Sequence, residues 1–218
     1  SLGALYYFDG EPVLARSGPT NAPGLPGLPG RPGLPGRLDR PGRPSWPFGV
    51  RNAYAHPGHY LPGNALGQML QPTTFDLSAG DAALPAGDGI TGAFRSAKLV
   101  FAPPAAGGAA VAIEGRAELG AEARAFTAEF AADELRAEEG ADEAAVEGCA
   151  FELADVQGDG TVTLVVHPSV WLDQVDFAEL PAAAAGAPAA PLPADGSARR
   201  ALARGLKKGI AYVFRFSP

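Results

Sequence analysis

The chain has 218 residues, a formal net charge of −7 and a 46% hydrophobic fraction, much of it alanine. That length holds one domain, or one domain with a large appendage, and the bulky apolar residues suffice for a single core. The acidic balance argues against nucleic acid as the main partner. Neutralising phosphates needs a basic stripe, and the only basic clusters, Arg37 to Arg43 and Arg199 to Lys208, read as solvated surface.

Residues 2–8, "LGALYYF", form a short aromatic strand that Asp9-Gly10 terminates. The chain opens directly on this strand, the form expected of an exported protein after processing. Residues 17–47 are rich in proline and glycine. In one register they read GPT-NAP-GLP-GLP-GRP-GLP-GRL-DRP-GRP, with glycine leading every triplet except those begun by Asn21 and Asp39. A collagen triple helix admits only glycine at its axis, so two breaks in so short an array argue against it. Proline fixes φ and removes a donor, which disfavours helix and inner strand. The expectation is a single polyproline II strap. Gly24 to Pro44 alone would span about 65 Å at ~3.1 Å per residue.

From residue 48 the texture becomes that of a folded domain reaching to 218. Asn64 to Leu70 reads as a helical turn, and "TTFDLSAGDAALPAGDG" as a short strand and then loop. The core is expected to begin at Ile90, with "ITGAFRSAKLVFAP" as a strand ended by Pro103-Pro104. "AAVAIEGRAEL" alternates, with Val111 and Ile113 on one face, and "ARAFTAEF" places Phe126, Ala128 and Phe130 together. Gly120 between them predicts a hairpin. Residues 131–147 are acidic and alanine-rich, a short helix or a solvated loop. "GCAFELADV" and "GTVTLVVHP" flank "QGDG" and predict a second hairpin, with Val162, Leu164 and Val166 facing one way. "SVWLDQVDFAEL" is expected to continue the sheet or bend to its neighbour. Ser197 is expected to cap a short helix, "ARRALARGLKK", closed by Gly209. "IAYVFRF" then forms the last strand, with Ile210, Tyr212, Phe214 and Phe216 on one face. Short strands with Gly and Pro turns, and no βαβ rhythm, predict an all-β fold. The expected form is an antiparallel β-sandwich with an N-terminal strand (1–16), a polyproline II strap (17–47), the sandwich domain (48–218) and one short C-terminal helix.

Three groups of residues carry candidate chemistry. His56 and His59 in "HPGH", with Met69, His167 and Cys149 as further ligands, are the types that hold copper or zinc; an exposed loop pair bonding backbone is the plainer reading. Cys149, the only cysteine, excludes an internal disulfide and otherwise serves as a small hydrophobe. "DVQGDG" from Asp155 echoes half a calcium loop, but position twelve is Val166 instead of a bidentate glutamate, so a turn is the better reading. Asp173 and Asp176 beside Trp171 could form a ligand groove with an aromatic platform, or be surface acids on an edge strand. No Gly-x-Ser-x-Gly, His-Glu-x-x-His, P-loop or dinucleotide fingerprint occurs, which argues against an enzyme. No run of about 18 apolar residues exists to span a membrane as a helix.

The segments "HPGHYLPGNALGQML", "GDGITGAFRSAKLVFAPP", "EGCAFELADVQGDGTVTLVVHPSVWLDQVDF" and "IAYVFRF" together resemble uncharacterised secreted lipoproteins of myxobacteria-like bacteria, over roughly residues 50–218. The resemblance implies export and a β-sandwich and carries no activity. A more distant similarity in style links the chain to periplasmic copper-binding β-sandwich proteins, in which His56, His59, His167, Trp46 and Trp171 would correspond to site residues. The functional expectation is a non-enzymatic protein of the periplasm, cell surface or extracellular space. It would assemble with further copies of itself or another cell-surface protein, for example as a fibre subunit. In that form the N-terminal strand or the strap would dock on a neighbour's sheet edge. A copper or zinc binder and a carbohydrate-binding module are the alternatives.

Overall fold

A computed structural model of the chain describes residues 1–12, 62–120, 122–137, 141–180 and 188–218. The Pro/Gly-rich strap, Trp46, His56 and His59 lie outside the described residues. Among the described residues, ten strands and two short α-helices make the fold all-β with minor helix. The strands are β1 (Leu2–Phe8), β2 (Ala65–Met69), β3 (Asp88–Gly89), β4 (Gly92–Phe101), β5 (Val111–Leu119), β6 (Glu122–Phe130), β7 (Ala144–Val156), β8 (Thr161–Val166), β9 (Ala190–Pro191) and β10 (Tyr212–Ser217). The helices are α1 (Pro168–Leu172) and α2 (Ser197–Leu206).

Seven strands form one sheet in the order β3-β2-β1-β4-β7-β10-β8, and β5-β6-β9 form a second. β1 pairs antiparallel with β2 on one side and β4 on the other. Its register sets Leu5 opposite Leu99 and Tyr7 opposite Ala97 on the buried face, while Tyr6 faces Lys98 on the outer one. There the Lys98 ammonium lies 5.5 Å from the Tyr6 ring centroid and 2.6 Å from Glu143. With both edges hydrogen-bonded inside its own sheet, β1 is not free to dock on a neighbour, contrary to the sequence expectation.

The alternations read from sequence hold where a strand buries one face. Tyr212, Phe214 and Phe216 stand opposite Val166, Leu164 and Val162. Tyr7, Phe94, Phe151 and Phe214 meet as an aromatic cluster with centroids 5.4 to 6.1 Å apart. The β5–β6 hairpin closes through Gly120 at φ +65°, a left-handed turn position that favours glycine, and buries Phe126, Ala128 and Phe130. Both sheets and both helices contribute to one apolar cluster.

Several expectations are corrected. β7 and β8 flank the "QGDG" turn but do not pair. β10 lies between them, parallel to β7 and antiparallel to β8, so the sheet is mixed. A turn specifies a local reversal only. β10, with Tyr212 and Phe214 almost wholly buried, takes the central place where both neighbours cover it. Asn64–Leu70 is not helical, since β2 pairs with β1 there. "SVWLDQVDFAEL" is not a strand: it makes α1, with Pro168 in its first turn, and a 3-10 turn at Phe177–Glu179 capped by Asp176. Of residues 131–147, Asp133–Leu135 form a 3-10 turn and β7 starts at Ala144. Gly196, not Ser197, is the N-cap of α2, and Lys207 closes it. Ile210 is exposed on a 3-10 turn before β10. Ile90 is 64% exposed and does not open the core, which instead begins at Leu2.

α2 buries Ala198, Ala201, Leu202, Gly205 and Leu206, a helical stripe at i, i+3, i+4, i+7 and i+8. Its C-terminal end is tied down by Tyr212, whose buried hydroxyl donates to the Leu206 carbonyl at 2.7 Å, satisfying one of the acceptors a helix end leaves open. No helix among the described residues is long and apolar enough to cross a membrane.

Candidate functional site: a groove shared by seven strands

In a flat sheet, six spacings of about 4.8 Å would hold β3 and β8 roughly 29 Å apart. Here the two edge strands border one concavity of about 1180 Å³. Every strand of the large sheet contributes to it: Asp88 and Gly89 of β3, Met69 of β2, Tyr7 of β1, Phe94 of β4, Val156 of β7, Phe216 of β10 and all six residues of β8. The sheet therefore curls, as twisted strands with bulges do. The β4–β7 ladder shifts register twice, between Phe94 and Ser96 and between Ala97 and Leu99, and these irregularities bend the long β7.

The floor is core. Tyr7, Met69, Phe94 and Val156 are buried, and burial pushes the Tyr7 phenol up to about 12, so it stays neutral. The rim on the β3 side is the stretch Gly80–Thr91 together with Phe75 and Leu77. Of the five exposed large hydrophobics among the described residues, Leu77 and Ile90 stand here. Among the described residues, the ionisable groups of the lining are Asp81, Asp88, Asp159 and Tyr7, with no lysine, arginine or histidine. None of the three aspartates forms an ion pair among the described residues.

β8 is a free edge. It pairs only with β10 among the described residues. The His167 amide donates to the Ala211 carbonyl at 2.8 Å, continuing the β8–β10 register by one pair. In an antiparallel ladder, hydrogen-bonded pairs alternate. Thr163 and Val165 therefore direct their backbone groups at β10, while Val162, Leu164 and Val166 direct theirs at the open edge. The side chains of these same three residues lie on the apolar face opposite Phe216, Phe214 and Tyr212.

Among the described residues, those singled out from sequence do not converge. Met69 lies on the groove floor, 2% exposed. His167 is exposed at the start of α1 and is not part of the lining, although Val166 and Pro168 on either side of it are. Cys149 is fully buried, its thiol donating to the Val146 carbonyl at 3.5 Å, and burial pushes it up to about 12, which makes it inert as a thiolate. Trp171 is no open platform: it is 9% exposed on α1 and packs at 6.3 Å from Tyr212. Asp173 faces Lys208 at 3.5 Å. Asp176 accepts from the Ala178 amide at 2.9 Å and caps a turn. Asp155 pairs within β7 opposite Ala93, so the calcium-like stretch is strand and turn. No cluster of three or more His, Cys, Asp or Glu fit to hold a metal occurs among the described residues.

Sequence reasoning missed the groove because its residues come from elements as far apart in the chain as β1 and β10, and each element alone carries ordinary side chains. The one available signal was Ile90, an apolar residue set between "PAGDG" and "TG" with no partner in a strand pattern. No family model matches the chain, and neither a curated protein nor a solved structure shows significant similarity to it.

Proposed function

We propose that this chain is a non-enzymatic, exported assembly protein, a β-sandwich whose curled sheet face receives a partner at the cell surface or outside it. One observation carries the reading: a groove bordered by both edges of the large sheet, apolar at its floor, with Leu77 and Ile90 exposed on its rim. Apolar concavities with further apolar side chains exposed at the rim are the surfaces at which proteins bind ligands and partners. The chemistry-bearing residues of the described chain serve packing, capping and surface pairing, which supports binding over catalysis.

Truncating residues 1–47 is no test, because it removes β1 from the middle of the sheet. A photo-crosslinking residue at position 90 is. In native exported material, adducts to polypeptide are expected at 90 and absent at Ala112, on the outward face of β5. No adduct at 90, or equal adducts at both positions, overturns the proposal. A single-mass adduct to the same chain identifies a second copy as the partner.

A further inference from the structure

Resting on the groove as the binding face, we infer that its occupant is an extended segment of a partner polypeptide that adds as a strand to β8. The segment would carry apolar residues on the side facing the groove and Lys or Arg around them.

Three features lead to this occupant. The first is shape. All six residues of β8 line the groove, a length of roughly 20 Å at about 3.3 Å per residue, which suits an extended chain better than a compact small molecule. The second is backbone chemistry. Val162, Leu164 and Val166 offer a run of amides and carbonyls at the open edge, and their side chains lie toward the same apolar face. A strand beside them gains a ladder and apolar contact together, the two parts of strand addition. It would be the eighth strand, in the gap between β8 and β3, and eight strands suffice to close a small barrel.

The third feature is charge, which selects between partners. Asp81, Asp88 and Asp159 line the groove with no cationic residue beside them in the lining among the described residues. A second copy offering its own β8 edge would bring Asp159 and the same acidic rim against an identical set, which like-charge repulsion disfavours. A segment bearing Lys or Arg meets the opposite sign.

The test uses the full chain and three synthetic eight-residue peptides. One alternates valine with lysine, one replaces the lysines by glutamate, and one is the lysine peptide with alternate amides N-methylated on the pairing edge. Binding is read by fluorescence anisotropy, and its location by amide hydrogen exchange. The lysine peptide should bind at least tenfold more tightly than the glutamate peptide. It should slow exchange at Val162, Leu164 and Val166, and lose most of its affinity on N-methylation. Asp159→Asn, an exposed substitution, should weaken it by about two- to fivefold, the range of a surface charge pair. Equal binding of lysine and glutamate peptides, indifference to N-methylation, or unchanged exchange at the three amides overturns strand capture. If position 90 still crosslinks to polypeptide in that case, the groove remains the binding face and only the strand mode is lost. If position 90 gives no adduct, the groove reading itself has failed.

Discussion

Replacing Gly205 by alanine sets two opposing effects against each other. Gly205 lies in the last turn of α2, where that helix crosses α1. A Cβ at this position would overlap the Trp171 carbonyl oxygen and come within 2.7 Å of its carbonyl carbon and Cα, against about 3.5–4.0 Å for relaxed carbon contact. Helix propensity alone favours the alanine by about 1 kcal/mol. Overpacking a closed site costs ~1–3 kcal/mol, and the upper half of that range applies because the obstruction is backbone. α1 cannot simply retreat, since Trp171 is buried against Tyr212. The clash therefore wins by about 1–2 kcal/mol, equivalent to roughly 2–8 °C in Tm for a chain of this size. Urea denaturation followed by circular dichroism reads it as a lowered midpoint with unchanged m-value. A midpoint equal to or above that of the parent protein would show that α1 and α2 do not approach this closely. Gly158→Ala is the contrast: nothing lies within 4 Å of its Cβ and its φ is outside the left-handed region. There alanine should stabilise by up to about 0.4–1 kcal/mol through the unfolded state.

Tyr212→Phe removes the donor to the Leu206 carbonyl and should cost about 1–3 kcal/mol in the same urea assay, since the acceptor is left buried; no loss would mean the helix end is satisfied otherwise. Burial raises Cys149 and Tyr7 from 9.0 and 10.0 to about 12 each, and raises Tyr212 as well. The unfolded chain releases these protons first, so stability is full below about pH 9 and falls as pH rises toward 12, by up to ~1.4 kcal/mol per unit for each group. Cys149→Ala should move the onset of that decline from near pH 9 to near pH 10, and an unmoved onset in a pH series of urea midpoints counts against the thiol. Hydrogen exchange on the free protein should alternate along β8, slow at Thr163 and Val165 and faster at Val162 and Leu164; uniform protection would show that the outer edge is covered.

Within each segment, much of the fold was legible. Val162, Leu164 and Val166 share a face because side chains alternate along any strand, and so do Phe126, Ala128 and Phe130; glycine at 120 permits the left-handed turn that joins β5 to β6. Pairing between segments was less legible. β10 entered between β7 and β8 although only a short turn separates those two strands, because burying Tyr212 and Phe214 on both flanks outweighs the convenience of a local hairpin. Pro168 and the residues after it looked like a continuing strand, yet Trp171 is buried best from a short helix packed on Gly205.

The site followed the same division. Composition and the order of residues were enough to establish an acidic chain, an all-β class and the inward faces of β5, β6, β8 and β10, because these depend on residue type and on neighbours two positions away. The groove depended on the tertiary structure alone. It exists because the sheet curls until β3 and β8 border one space, and curling is a property of seven strands in register, with their bulges, that no single segment contains.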